Sequence, residues 1–141
     1  MGCNLNFLTN STNFGSVTIN HLSSLLDPYD YLKHLECDGL AQVFHRILTD
    51  EQIEHTVNIG KVTYKPTNRI IPIHYWIDVG DVRIDYRLKM WLGETLDIPH
   101  GVFCKGSKSL VCYLGEPIDI SLLPMPVIEM LITPFDASYF N

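Results

Sequence analysis

The chain contains no run of about 18 apolar residues, the length a membrane-spanning helix requires. It also lacks a recognisable leader. The opening residues MGCNLNFLTNSTNFGS are polar, with neither a charged stretch nor an apolar core, so no secretory signal is expected. Asn6 stands where a myristoylation pattern wants Ser or Thr, which argues against a lipid anchor there. Positive charge is scarce: 10 Lys plus Arg face 16 Asp plus Glu, for a net charge of −6. A broad basic footprint for nucleic acid or an anionic membrane is therefore not expected. CxxC motifs, phosphate loops and dinucleotide fingerprints are absent, as are repeats, low-complexity tracts and linkers. His34, His45 and His55 show no ligand-like spacing with carboxylates, so no metal or other cofactor is expected.

What is there fits one globular domain over residues 1–141. Hydrophobic residues make up 46% and charged residues 18%, enough apolar surface for a core without staples. The cysteines are Cys3, Cys37, Cys104 and Cys112. Without a leader they are expected to be reduced thiols of a cytoplasmic protein. Cys112, between Val111 and Tyr113, is expected in the core.

Residues 1–22, rich in Asn, Ser and Thr, are expected to be irregular, with at most a short edge strand. Asp27-Pro28 suits the start of a short helix over 28–34. Leu40, Val43, Phe44, Ile47 and Leu48 recur at helical spacing, which predicts an amphipathic helix with Cys37 at or just before its first turn. From residue 55 the pattern changes to strands: 57–64, then 70–79 and 82–90 around Gly80-Asp81, then 109–114. Residues 93–101 read as a loop, and Ser121 as the cap of a last helix reaching Ile132. Helices followed by a run of strands predict an α+β fold with an antiparallel sheet.

The 70–90 hairpin carries the chemistry. With Gly80-Asp81 as a two-residue loop, Val79 faces Val82, Trp76 faces Asp85 and His74 faces Arg87. Ile73, Tyr75, Ile77 and Val79 then share an apolar face with Val82, Ile84, Tyr86 and Leu88. His74, Trp76, Asp78, Arg83, Asp85 and Arg87 share the other. His74 and Asp85 are diagonal neighbours, roughly 7–8 Å apart at the backbone, close enough for side chains to meet. A carboxylate there orients an imidazole and stabilises its charged form. Cys37, at the positive end of a helix, supplies a nucleophile beside that base. Its backbone N–H offers one oxyanion donor. Asp97-Ile98-Pro99-His100 places an imidazole in a loop that would form a second wall of a cleft. Trp76 and His100 are thus candidate substrate contacts.

Cys37-x3-Ala41-x2-Phe44 opening a helix, His74-Tyr75-Trp76 on one strand and Ile84-Asp85-Tyr86 on the next resemble the transglutaminase-like core of the papain-like cysteine enzymes. The order is also that of arylamine N-acetyltransferases, whose R-G-G-x-C signature is absent here. The resemblance covers about residues 30–92. It implies N-terminal helices packed on an antiparallel sheet, and a cysteine hydrolase or acyltransferase with Cys37 as nucleophile, His74 as base and acid, and Asp85 as orienting group. The substrate would be a peptide, a protein or a small acyl compound, with no nucleic acid or membrane partner. The competing expectation is a non-enzymatic protein on the same scaffold, binding another protein as an accessory or inhibitor encoded by a mobile element would.

Overall fold

A computed structural model describes residues 19–106 and 110–133 of the chain. Residues 19–26 form helix α1, which runs into a 3-10 turn at Asp27–Tyr29. This differs from the irregular segment and the 28–34 helix expected there. Leu22 and Leu26, one turn apart, are fully buried, so tertiary packing carries a helix that the polar composition hides. Pro28 has no N–H to continue the ladder. Asp27 caps no helix; its carboxylate accepts the Tyr86 hydroxyl at 2.6 Å.

Helix α2, Cys37–Asp50, forms where its periodicity predicts, burying Leu40, Ala41, Val43, Phe44 and Leu48. The strands are β1 Thr56–Tyr64, β2 Arg69–Val79, β3 Val82–Asp85, β4 Gly101–Cys104 and β5 Val111–Pro117. They form one antiparallel sheet in the order β4-β3-β2-β1-β5. The expected hairpin register holds: Val79 faces Val82, Asp78 faces Arg83 and Ile77 faces Ile84. Gly80 takes the left-handed first position of the turn with φ +58°.

Other boundaries move. The strand expected over 82–90 stops at Asp85, and a short helix α3, Leu88–Leu92, follows. Strand β4 was not anticipated. Strand β5 runs through Gly115-Glu116-Pro117, where a stop was expected. Helix α4 spans Met125–Ile132; Pro124, not Ser121, precedes it, and Pro126 falls in the first turn, where a missing N–H costs nothing.

The sheet is strongly curled. Strands β3 and β5 are three steps apart in the order, about 14 Å in a flat sheet. Yet the Tyr113 hydroxyl on β5 donates to Asp85 on β3 at 2.8 Å. Likewise the Arg83 guanidinium of β3 lies 4.4 Å from the Tyr113 ring centre. A β-bulge between Gly60 and Val62 helps bend β1. Opposite it, Gly60 pairs with Gly115. A side-chain carbon added at Gly115 would lie 2.7 Å from Trp76 Cη2 and collide with the Ile59 carbonyl. The tight curl therefore requires glycine at that position.

Two apolar cores result. On one face α2 joins Val57, Ile77, Val82, Ile84 and Tyr86. On the other, Val62, Ile71, Trp76 and Val111 meet Leu88, Leu92 and Ile98. No helix among the described residues is long and apolar enough to cross a membrane.

Candidate active site

His74 and Asp85 meet on the concave face of the curled sheet. His74 Nε2 lies 2.9 Å from Asp85 Oδ2, and both side chains are sealed from solvent. Asp85 is held from three sides: by His74, by the Tyr113 hydroxyl on the same oxygen, and by the Arg87 backbone N–H on Oδ1 at 3.1 Å. A carboxylate with three donors is fixed in position, and its charge is compensated. Burial keeps the Tyr113 phenol neutral by raising its pKa well above the usual value, and the neighbouring Asp85 charge acts in the same direction.

Burial alone would lower the His74 pKa. The Asp85 carboxylate outweighs it through charge and hydrogen bonding, and the Cys37 side chain adds to the effect, so the value rises to about 10. At neutral pH the ring is an imidazolium. Its other nitrogen, Nδ1, is buried and has no hydrogen-bond partner. The Cys37 thiol thus lies near enough to bear on the ring's charge, short of a well-aligned hydrogen bond.

Cys37 is the first residue of α2, half-buried and a free thiol. Buried Arg87 fixes where that helix starts. Its Nε donates to the Leu35 carbonyl at 2.6 Å, and Nη2 donates to the carbonyls of Leu32 and Asp30. Its Nη1 donates to Asp30 Oδ1 and the Tyr86 carbonyl. The segment leading into Cys37 is thus tied to the end of β3, next to Asp85. Sequence alternation placed Arg87 on a strand opposite His74. The pairing of β3 with β4 stops at Asp85 and Gly101, and beyond it the chain turns to bring the guanidinium under the 30–35 segment.

A cavity of about 20 Å³, room for about one water, adjoins Cys37 and is lined also by Trp76, Asp85, Tyr86 and Arg87. Trp76 is buried between neighbours, its ring 6.5 Å from His74 and 4.9 Å from Tyr113, and its Nε1–H is unpartnered. His100 does not line this cavity. It pairs instead with Asp30 at 2.9 Å, on the carboxylate that also accepts from Arg87. Neither Tyr113 nor the buried role of Arg87 was anticipated; both depend on the curl of the sheet and the turn at 86–88, which no local pattern encodes.

The cysteine expectations need correction. Cys104 is disulfide-bonded, not reduced. Cys112 is exposed, not in the core; on edge strand β5 it alternates with the inward Val111 and Tyr113. Cys3 lies outside the described residues. Among the described residues no cluster of His, Cys, Asp and Glu could hold a metal ion. No protein-family model, curated protein or solved structure matches the chain.

Proposed function

We propose that the chain is a cysteine hydrolase or acyltransferase with a transglutaminase-like core, acting on an amide or acyl substrate through Cys37, His74 and Asp85. The observation that carries this reading is the buried imidazole with Nε2 committed to a fixed carboxylate and Nδ1 unpartnered beside the thiol of a helix N-terminus. A buried ring nitrogen without a partner costs free energy unless something uses it.

Because His74 is already charged at neutral pH, its proton is in place before substrate arrives. The ring works as an acid beside the reacting sulfur, and the form of Cys37 that attacks is the thiolate. The sulfur attacks the acyl carbon, and the C–S bond forms as electrons move onto the carbonyl oxygen. The Cys37 backbone N–H, one of the first-turn donors with no intrahelical acceptor, faces that developing charge. On collapse the leaving group departs with the His74 proton, leaving a thioester. Water or an amine then resolves it, with neutral His74 accepting the incoming proton. Asp85 orients the ring and compensates its charge throughout, itself held by Tyr113 and Arg87.

The non-enzymatic reading draws on a different observation: His74 is wholly buried and the adjoining cavity admits about one water. One experiment separates the two. The protein is incubated with p-nitrophenyl acetate and analysed by mass spectrometry. The enzyme reading expects a burst of nitrophenol, an acetyl group on Cys37, and its later loss to water. Acetylation confined to other residues, or none, favours the binding protein.

A further inference from the structure

A second cavity, about 280 Å³, opens on the curled sheet beyond Tyr113, between edge strands β4 and β5. Its lining includes Lys65, Arg83, Lys105, Phe103, Val111 and Tyr113, and no described carboxylate. In a chain of net charge −6, this gathers three of the 10 basic residues in one cavity. We propose that it is a binding site for a small ligand carrying a phosphate or carboxylate group.

The cations are only partly compensated. Among the described residues the carboxylate paired with them is Asp78, which accepts Arg83 Nε at 2.9 Å and Nη2 at 3.3 Å. Lys105 Nζ stands 3.8 Å from the same carboxylate, the edge of an ion pair. Asp78 is also claimed by the Asn58 amide at 3.0 Å. Lys65 has no ion-pair partner among the described residues. Among the described residues Asp78 thus serves two cations, Arg83 and Lys105, and with Lys65 the three cations outnumber the one carboxylate paired to them.

Arg83 is also held in advance of any ligand. The bidentate contact with Asp78 fixes its plane, and the Tyr113 and Trp76 rings lie 4.4 Å and 5.5 Å from its central carbon. Its Nη1 has no partner among the described residues. A guanidinium locked by its neighbours loses little entropy when it donates to an oxyanion. Phe103 and Val111 add apolar wall, so the fitting ligand carries its anionic group on a compact, partly apolar body. The volume suits a small metabolite or an acidic side chain better than a folded surface. The site shares Tyr113 with the Asp85 cluster, but it does not depend on Cys37 acting as a nucleophile.

Titration calorimetry of the full chain with inorganic phosphate, and separately with glutarate, tests this. Saturable binding of at least one probe is expected, weakening as salt is raised. Preference for one probe identifies the anion type. Lys65→Gln and Lys105→Gln each weaken the preferred probe by about three- to tenfold. Lys61→Gln, outside the cavity, leaves it unchanged. Both cavity lysines are exposed at the rim, so these variants are expected to keep the parent's far-ultraviolet circular dichroism. Absence of saturable binding by both probes overturns the proposal, as does an equal loss in Lys61→Gln.

Discussion

The two faces of the β2–β3 hairpin are built on opposite principles. On one, Ile77, Val82 and Ile84 meet α2 through apolar contact alone. On the other, His74 and Asp85 are buried just as deeply, but as charges with assigned partners. Apolar packing is non-directional and tolerates modest repacking. A buried ion pair tolerates nothing: removing one member strands the other. The same strand pair thus carries a forgiving surface and an exacting one.

The sharpest way to break the contrast is Asp85→Ala. It leaves His74 Nε2, the Tyr113 hydroxyl and the Arg87 N–H without an acceptor, and is expected to cost about 3–5 kcal/mol in urea unfolding. On the apolar side, Leu48→Ala should cost about 3 kcal/mol through the cavity it leaves. The two losses differ in their pH signature. The His74 pKa is raised from 6.5 to about 10. Its contribution to stability is therefore complete below about pH 6.5 and is lost as pH rises through about 10. Unfolding at pH 7 and at pH 10.5 should show that decline in the parent and in Leu48→Ala. It should be reduced in His74→Gln, which carries no titrating ring. A decline of equal size in His74→Gln would remove the basis for the contrast.

Tyr113→Phe is a smaller probe of the same cluster. It deletes one donor to Asp85 while keeping the ring against Arg83 and Trp76, and should cost about 1 kcal/mol. The smallest effect belongs to Cys37→Ser. The residue is half-buried at a helix start, where a hydroxyl is well tolerated, so the melting temperature should stay near the parent's while nitrophenyl acetate turnover disappears. A normal melt with unchanged turnover would move the chemistry away from Cys37.

How far the sequence discloses this molecule follows from the same division. Local periodicity encodes α2 and the hairpin register, because each is set by spacing of side chains along one or two neighbouring elements. It therefore brings Cys37, His74 and Asp85 into view. The curl that carries Tyr113 to Asp85 depends on the Gly60 and Gly115 pair and a bulge, which read in sequence as an interruption and a strand stop. Alternation from Val82 to Leu88 continues on paper past Asp85. The hydrogen bonds of Arg87 to the 30–35 segment end it, and they join residues more than fifty positions apart. His100 looked like a cleft wall because it shares a loop with Asp97; its partner is Asp30, on another segment altogether.

The central claim is that the His74–Asp85 pair activates Cys37, and the relative alkylation of two thiols tests it most directly. Cys37 is half-buried and Cys112 is exposed, and both are free. Access alone favours Cys112. Iodoacetamide labelling of the folded protein at neutral pH, followed by mass spectrometry, should nevertheless modify Cys37 first. In His74→Gln the order should reverse, with Cys112 leading. Faster labelling of Cys112 in both proteins would contradict the account.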